Sequence, residues 1–240
     1  MDIKEENQLY VNNLEKNRKS FSFKAARFLN RIFFSKPKYR FLKEEFPDEP
    51  IMFLSNHVGK KVPTRVELYY PRDFRMWGAH EMGEGLKAVH KYLRITFYHE
   101  KKHFPMWFAN IIGTLFAPFA NAFYKGMRII PTYQDYRFMS TIKWTTREYN
   151  AGRDIVIYPE DSSQGYKEEL TKLYSGFAYF LEIMYRKGKD IPIYVAYYQK
   201  KTHTFVIDRK VMYSELKEKY NDYDSIAEAV RNRMNELKNL

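Results

Sequence analysis

The sequence predicts an α/β fold, a mostly parallel sheet flanked by helices, with an N-terminal basic amphipathic helical extension. Short runs rich in Ile, Val, Phe and Tyr alternate with longer segments of helical periodicity, the order expected of βα units. Glycines close two of the helical segments, in Asn150-Ala151-Gly152 and Lys187-Gly188, where a left-handed residue ends a helix. The chain of 240 residues, 45% hydrophobic, is large enough to bury a core as one domain. The boundary falls near residue 45, giving a basic helical extension over 1–45, expected at a membrane interface, and a catalytic-type domain over 46–240.

From Lys16 to Lys43 there are ten Lys or Arg and no acidic residue. Within that run Phe21, Ala25, Phe28, Leu29, Ile32 and Phe33 recur at helical spacing, which sets an apolar stripe beside a basic face. Such a helix suits either anionic lipid or the domain's own core. Strands are expected at Ile51 to Ser55, Phe74 to Gly78, Arg128 to Thr132, Asp154 to Tyr158, Ile191 to Tyr198 and Thr204 to Ile207. Helices are expected at Val62 to Tyr69, Gly83 to Leu93, Tyr136 to Asn150 and Glu168 to Arg186. A last helix starts at Ser225, with Ser225 and Glu228 as a capping box and Ile226, Val230, Met234 and Leu237 on one face.

Phe104 to Tyr124 carries no charge and is rich in aromatic residues, with His and Lys before it and Lys125 and Arg128 after it. Its length suits a bilayer, but Pro105, Gly113 and Pro118 interrupt a straight spanning helix. The segment therefore reads as dipping into one leaflet, or as a core helix with a turn at Pro118.

The net charge of +12 calls for an anionic partner: nucleic acid, an anionic membrane face or a phosphorylated small molecule. No nucleic-acid module is recognisable, and the uncharged segment argues against that partner. The chain has no cysteine, which excludes disulfides, thiolate metal sites and a cysteine nucleophile. No HExxH or comparable cluster points to a metal, and no G-x-S-x-G elbow or P-loop is present. The first twenty residues are polar and lack the apolar core of a secretion signal, so the chain is expected inside the cell.

Ligands meet a parallel sheet beyond the carboxyl ends of its strands. Two such ends are rich in chemistry: Ser55-Asn56-His57 after Ile-Met-Phe-Leu, and Pro159-Glu160-Asp161-Ser162-Ser163-Gln164-Gly165 after Asp-Ile-Val-Ile-Tyr. A histidine, with an unperturbed pKa of about 6.5, is suited to take a proton near neutrality. Glu160, Asp161, Ser162 and Ser163 offer acceptors and donors for a hydroxylated ligand.

Taken in order, these blocks resemble the glycerolipid acyltransferases, the family that includes the 1-acylglycerol-3-phosphate acyltransferases. Asn56-His57 sits where the histidine of the opening N-H-x-x-x-x-D would, and Pro71 to Met82 matches the family's second strand and the P-x-x-x-R-F-x-A-K-x-E-L run that follows it. Gly126 to Gln134 resembles the G-x-I-P-V-x-R segment, Ile157 to Asp161 the F-P-E-G block, Lys172 to Gly176 the F-K-x-G element, and Ile191 to Val195 the closing P-I-V-P-V strand. The likeness covers about residues 50 to 208.

The resemblance implies an O-acyltransferase that moves a fatty acyl group from acyl-CoA or acyl carrier protein to a lysolipid, with His57 as base and no resident cofactor or metal. Substrate-binding roles are expected of Asn56, Gln134 and Glu160 from their places in the matched blocks, of Ser162 and Ser163 from their hydroxyls beside Glu160, and of Lys125 and Arg128 from their charge near Gln134. The basic arm and uncharged segment would hold such an enzyme on anionic lipid at the cytoplasmic face of the cell membrane, as a peripheral or monotopic protein. Two departures stand out: Val62 occupies the position of the dyad aspartate, and Gln134 that of the phosphate-contacting arginine. Asp161 is the first candidate for a replacement acid, and Glu67 the second. Lys125, Arg128 and Arg137 are candidates to supply the missing positive charge. The rival reading is a catalytically weakened relative that binds lipid or acyl groups, and a carboxylate within about 3 Å of His57 separates the two. An amino-lipid or sugar acceptor is a further alternative.

Overall fold

The structure, a computed structural model, describes residues 15–58, 61–161 and 165–240. It is an α/β fold whose seven strands form one sheet: β1 (Lys38–Phe41), β2 (Met52–Ser55), β3 (Phe74–Ala79), β4 (Ile129–Thr132), β5 (Asp154–Ile157), β6 (Pro192–Gln199) and β7 (Thr204–Met212), in the order β1-β7-β6-β2-β5-β3-β4. The pairs β1–β7, β2–β6, β2–β5 and β3–β5 are parallel, and β6–β7 is antiparallel. The helices are α1 (Phe21–Phe33), α2 (Lys61–Tyr69), α3 (Leu86–Lys91), α4 (Met106–Tyr124), α5 (Phe138–Asn150), α6 (Gly176–Arg186), α7 (Tyr213–Lys219) and α8 (Tyr223–Leu237). The described chain divides into two compact units, one holding residues up to 34, 77–144 and 165, the other 35–76, 145–161 and 166–240.

The second unit carries the core of the sheet. Met52, Phe53 and Leu54 of β2, Ile155 and Val156 of β5 and Ile193, Tyr194 and Ala196 of β6 are all fully buried, as strands covered on both faces should be. Helices α6 and α8 contribute Phe177, Phe180, Leu181, Val230 and Met234 to the same core. At the amino end of β5 the buried Asp154 carboxylate receives the Ile51 N–H at 3.0 Å and the Tyr70 hydroxyl at 2.9 Å, and lies 3.0 Å from Arg72 Nε. Burial pushes this carboxyl up to about 6, against the opposing pull of those donors.

In the first unit, α1 lies on α4 through a stack of Phe23 on Phe123 with ring centroids 5.9 Å apart. A Cβ at Gly126 would stand 2.2 Å from the Phe23 ring, so glycine is what permits this approach. Arg18 also donates to the Gly126 carbonyl at 2.6 Å. Between α3 and α4 the chain forms a π-helix, Tyr92–Glu100, that runs back along α4, with Arg94 against Gly113.

Several elements differ from the sequence expectation. Lys38–Phe41, counted with the basic helical extension, is an edge strand, whose exposed Lys38 and Arg40 keep that edge soluble. Phe104 to Tyr124 holds neither a break nor a turn at Pro118: α4 runs through the proline, forgoing one backbone hydrogen bond. Residues 168–175 are not helical, because the Asp161 N–H donates to the Lys172 carbonyl and the Tyr174 N–H to the Pro159 carbonyl, which binds this segment to the turn after β5. The helix expected over Gly83 to Leu93 is realised as α3 from Leu86 to Lys91, with the π-helix taking over at Tyr92. The last helix is capped by Asp222, which accepts the Ser225 N–H at 2.7 Å, rather than by Ser225 itself.

Candidate functional site

Register decides which residues meet at the carboxyl end of the sheet. Leu54 of β2 pairs with Ile157 of β5, and Ser55 with Ala196 of β6, so the turns that carry His57 and Glu160 leave adjacent strands at the same level. The Glu160 carboxylate accepts the main-chain N–H of His57 at 3.0 Å. Glu160 is 8% exposed, so this charge-assisted bond is shielded from water and fixes one turn to the other.

Asn56 is held from the other side. Its Oδ1 accepts the Tyr198 N–H at 2.7 Å and its Nδ2 donates to the Tyr198 carbonyl at 3.3 Å, continuing the β2–β6 ladder with a side chain. Both ends of its amide are thus engaged with the scaffold. The Tyr198 hydroxyl also lies 2.8 Å from His203 Nδ1, and Arg65 of α2 reaches the same nitrogen at 3.1 Å.

The imidazole of His57 sits among aromatic rings. Tyr166 stacks on it at 5.0 Å between centroids and 8° between planes, and Tyr158 meets it edge-on at 5.3 Å and 88°. His57 Nδ1 is buried. The Tyr158 hydroxyl is buried too, and burial above all raises its pKa well above the ordinary phenol value, with Tyr39 and Glu67 adding to the effect. Val58, directly after the histidine, has φ of 44°, a left-handed conformation that a β-branched residue adopts only under strain.

The turn after β5 is braced across its base. Glu160 forms a bridge with Leu173, and Asp161 accepts the Tyr174 hydroxyl at 2.9 Å, with Lys172 Nζ 3.9 Å away. Asp161, the first candidate for an acid beside His57, thus turns its carboxylate to Tyr174 and Lys172. Glu67, the second, is 1% exposed on α2 and acts electrostatically on Tyr158. Val62, at the dyad-acid position of the resemblance, is a fully buried core residue. The carboxylate seen at 3.0 Å from His57 therefore serves its main chain, through Glu160.

The second unit brings Asn56, His57, Glu160 and Asp161 together. Lys125, Arg128 and Gln134 belong to the first unit, where Lys125 and Gln134 are exposed and Arg128 is half-buried. Arg137 is committed to Asp135, with contacts of 2.7 to 3.0 Å, and lies over the Tyr133 ring. Ser162 and Ser163 lie outside the described residues. Among the described residues no group of three or more His, Asp or Glu side chains is arranged to hold a metal ion.

Tyr158, Tyr166 and the backbone of Val58 had no signal in the sequence. The tyrosines are two among 21, and a positive φ at valine has no local signature. No family model matches the chain, and no curated protein matches it.

Proposed function

We propose that this protein is a membrane-associated O-acyltransferase that moves a fatty acyl group from acyl-CoA or acyl carrier protein to the hydroxyl of a lysolipid such as 1-acylglycerol-3-phosphate. The observation that carries this reading is the braced histidine: His57, at the carboxyl end of a central parallel strand, with its main chain fixed by Glu160 and its ring enclosed by Tyr158 and Tyr166. The order of the sequence blocks, with their likeness to glycerolipid acyltransferases, supports the reaction class.

In that reaction the imidazole of His57 takes the proton of the acceptor hydroxyl as its oxygen attacks the thioester carbonyl carbon. The tetrahedral adduct collapses with cleavage of the carbon–sulfur bond, and the departing thiolate takes the proton back from the imidazolium. Glu160 keeps the His57 turn in register through both proton transfers.

A lipid setting is supported by the first unit. Helix α1 leaves Phe21, Phe28, Ile32 and Phe33 exposed, and α4 leaves Trp107 and Leu115 66% and 71% exposed. Among the described residues α4 is the one helix long and apolar enough to cross a membrane. Lys24, Arg27 and Arg31 on α1 add the positive charge that an anionic leaflet attracts.

The fully buried Val62 favours a second reading, a lipid- or acyl-binding protein without turnover. Purified protein with labelled acyl-CoA and a panel of lysolipids separates the two. The proposal expects transfer that His57→Ala lowers by about 100-fold or more. Binding of acyl-CoA or lysolipid without transfer, unchanged by His57→Ala, would establish the second reading. Equal affinity for lysophosphatidate and an uncharged lysolipid would remove the phosphate role from Lys125 and Arg128.

A further inference from the structure

The face of His57 is covered by a tyrosine ring. Tyr166 lies parallel to the imidazole, within 8°, at a centroid distance of 5.0 Å, a stacking geometry rather than an incidental edge contact. The Glu160–Leu173 bridge and the Asp161–Tyr174 hydrogen bond join the chain on the two sides of residue 166. Tyr158 fixes the ring from its edge, so the imidazole cannot turn away from the stack without displacing a buried side chain.

A π face distinguishes the two protonation states of the ring beside it. Against neutral imidazole it offers dispersion alone, whereas against imidazolium it adds the attraction of the ring quadrupole for a cation. We propose that Tyr166 is a positioning residue that stabilises the protonated form of His57, so that cation–π attraction performs part of the charge-balancing work a carboxylate does in a histidine–acid dyad. This rests on the reading of His57 as a proton-accepting base, and it adds the group that favours its charged state.

The sign of one measured shift separates this role from packing. A tyrosine that only covers the ring keeps water away and thereby disfavours the imidazolium, so its removal would raise the His57 pKa. A tyrosine that binds the cation does the reverse. Among the described residues, Glu160 at the His57 main chain, Tyr158 and Tyr166 at its ring, and Glu67 acting on Tyr158 are titratable groups, and Asp161 accepts the Tyr174 hydroxyl in the neighbouring turn. All of them but Tyr166 itself are unchanged when residue 166 alone is replaced.

The experiment is an NMR titration of the histidine ring signals in the full-length protein, with His57 assigned by loss of its peak in His57→Gln. Tyr166→Leu is expected to lower the His57 pKa by about half a unit to one unit, and Tyr166→Phe, which keeps the ring, to leave it unchanged. If acyl transfer is present, Tyr166→Leu should lower kcat by about three- to tenfold with little change in KM, and Tyr166→Phe should be near wild type. A pKa that rises or stays constant in Tyr166→Leu, or that falls equally in Tyr166→Phe, overturns the proposal. The titration needs no substrate, so loss of the acyltransferase reading and loss of this one are recorded separately.

Discussion

Val58 holds φ at 44° immediately after His57, a conformation that costs an ordinary side chain about 1–2 kcal/mol. Its neighbours enforce it, because Glu160 grips the preceding N–H and Asn56 is tied to Tyr198 on both sides of its amide. Val58→Gly is therefore expected to leave stability within about 1 kcal/mol of wild type in urea unfolding, relief of strain offsetting the entropy that glycine adds to the unfolded chain. A loss of about 2 kcal/mol or more would show that the valine side chain matters more than the strain. Glu160→Ala removes the acceptor of a shielded, charge-assisted bond and should cost about 1.5–3 kcal/mol by the same measurement. The residues of the site were legible in uneven degree. His57 and Glu160 announce themselves as polar residues at the ends of apolar runs, whereas the contact of Tyr166 with a ring more than a hundred positions earlier in the chain is tertiary and leaves no local mark in the sequence.

At the scale of elements, two buried carboxylates give opposite pH dependence. Glu182 of α6 is hydrogen-bonded by Lys217 of α7 at 2.8 Å, by Arg186 at 2.6 Å and by the Tyr213 hydroxyl at 3.0 Å, and Lys217 first, then Arg186, draws its carboxyl down to about 2. The folded state thus releases this proton more readily than the unfolded chain, whose carboxyl keeps its ordinary value of 4.5. The resulting stability is complete above that value and is lost as pH falls toward 2. Asp154, raised to about 6 by burial, works in the other sense: the folded state holds its proton more tightly, so stability declines as pH rises from about 4 through about 6. Thermal unfolding across pH should show Glu182→Gln flattening the acid limb and Asp154→Asn flattening the decline between pH 4 and 6. Gly126→Ala sets a Cβ against the Phe23 ring and should undock α1 from α4, with about 1–3 kcal/mol lost and increased proteolysis near residue 20. Strand and helix order was readable because the apolar runs are short and glycines end two helices, and Gly152 and Gly188 do take φ of 82° and 76°. Edge strand β1 was hidden because Lys38 and Arg40 carry the same basic signature as the helix before them.

For the molecule as a whole, a net charge of +12 and the exposed apolar residues on α1 and α4 are the features on which the proposed lipid association rests. Replacing Phe28 and Ile32 together by Ser should lower affinity for vesicles containing anionic phosphatidylserine by about tenfold or more, as two large apolar side chains cease to leave water. Sedimentation with the vesicles measures it, and unchanged binding would show that charge alone carries the association. The sheet has a temporal consequence of its own. Strand β1 is completed only by pairing Lys38 with Thr204 and Phe41 with Ile207, strands from opposite ends of the chain. At a synthesis rate of about 5–20 residues per second, the edge of the sheet waits on the order of ten seconds on the ribosome for its partner. Throughout that interval the aromatic, basic stretch around β1 is a nascent segment without its neighbour, open to chaperones or to a lipid surface before the fold is closed.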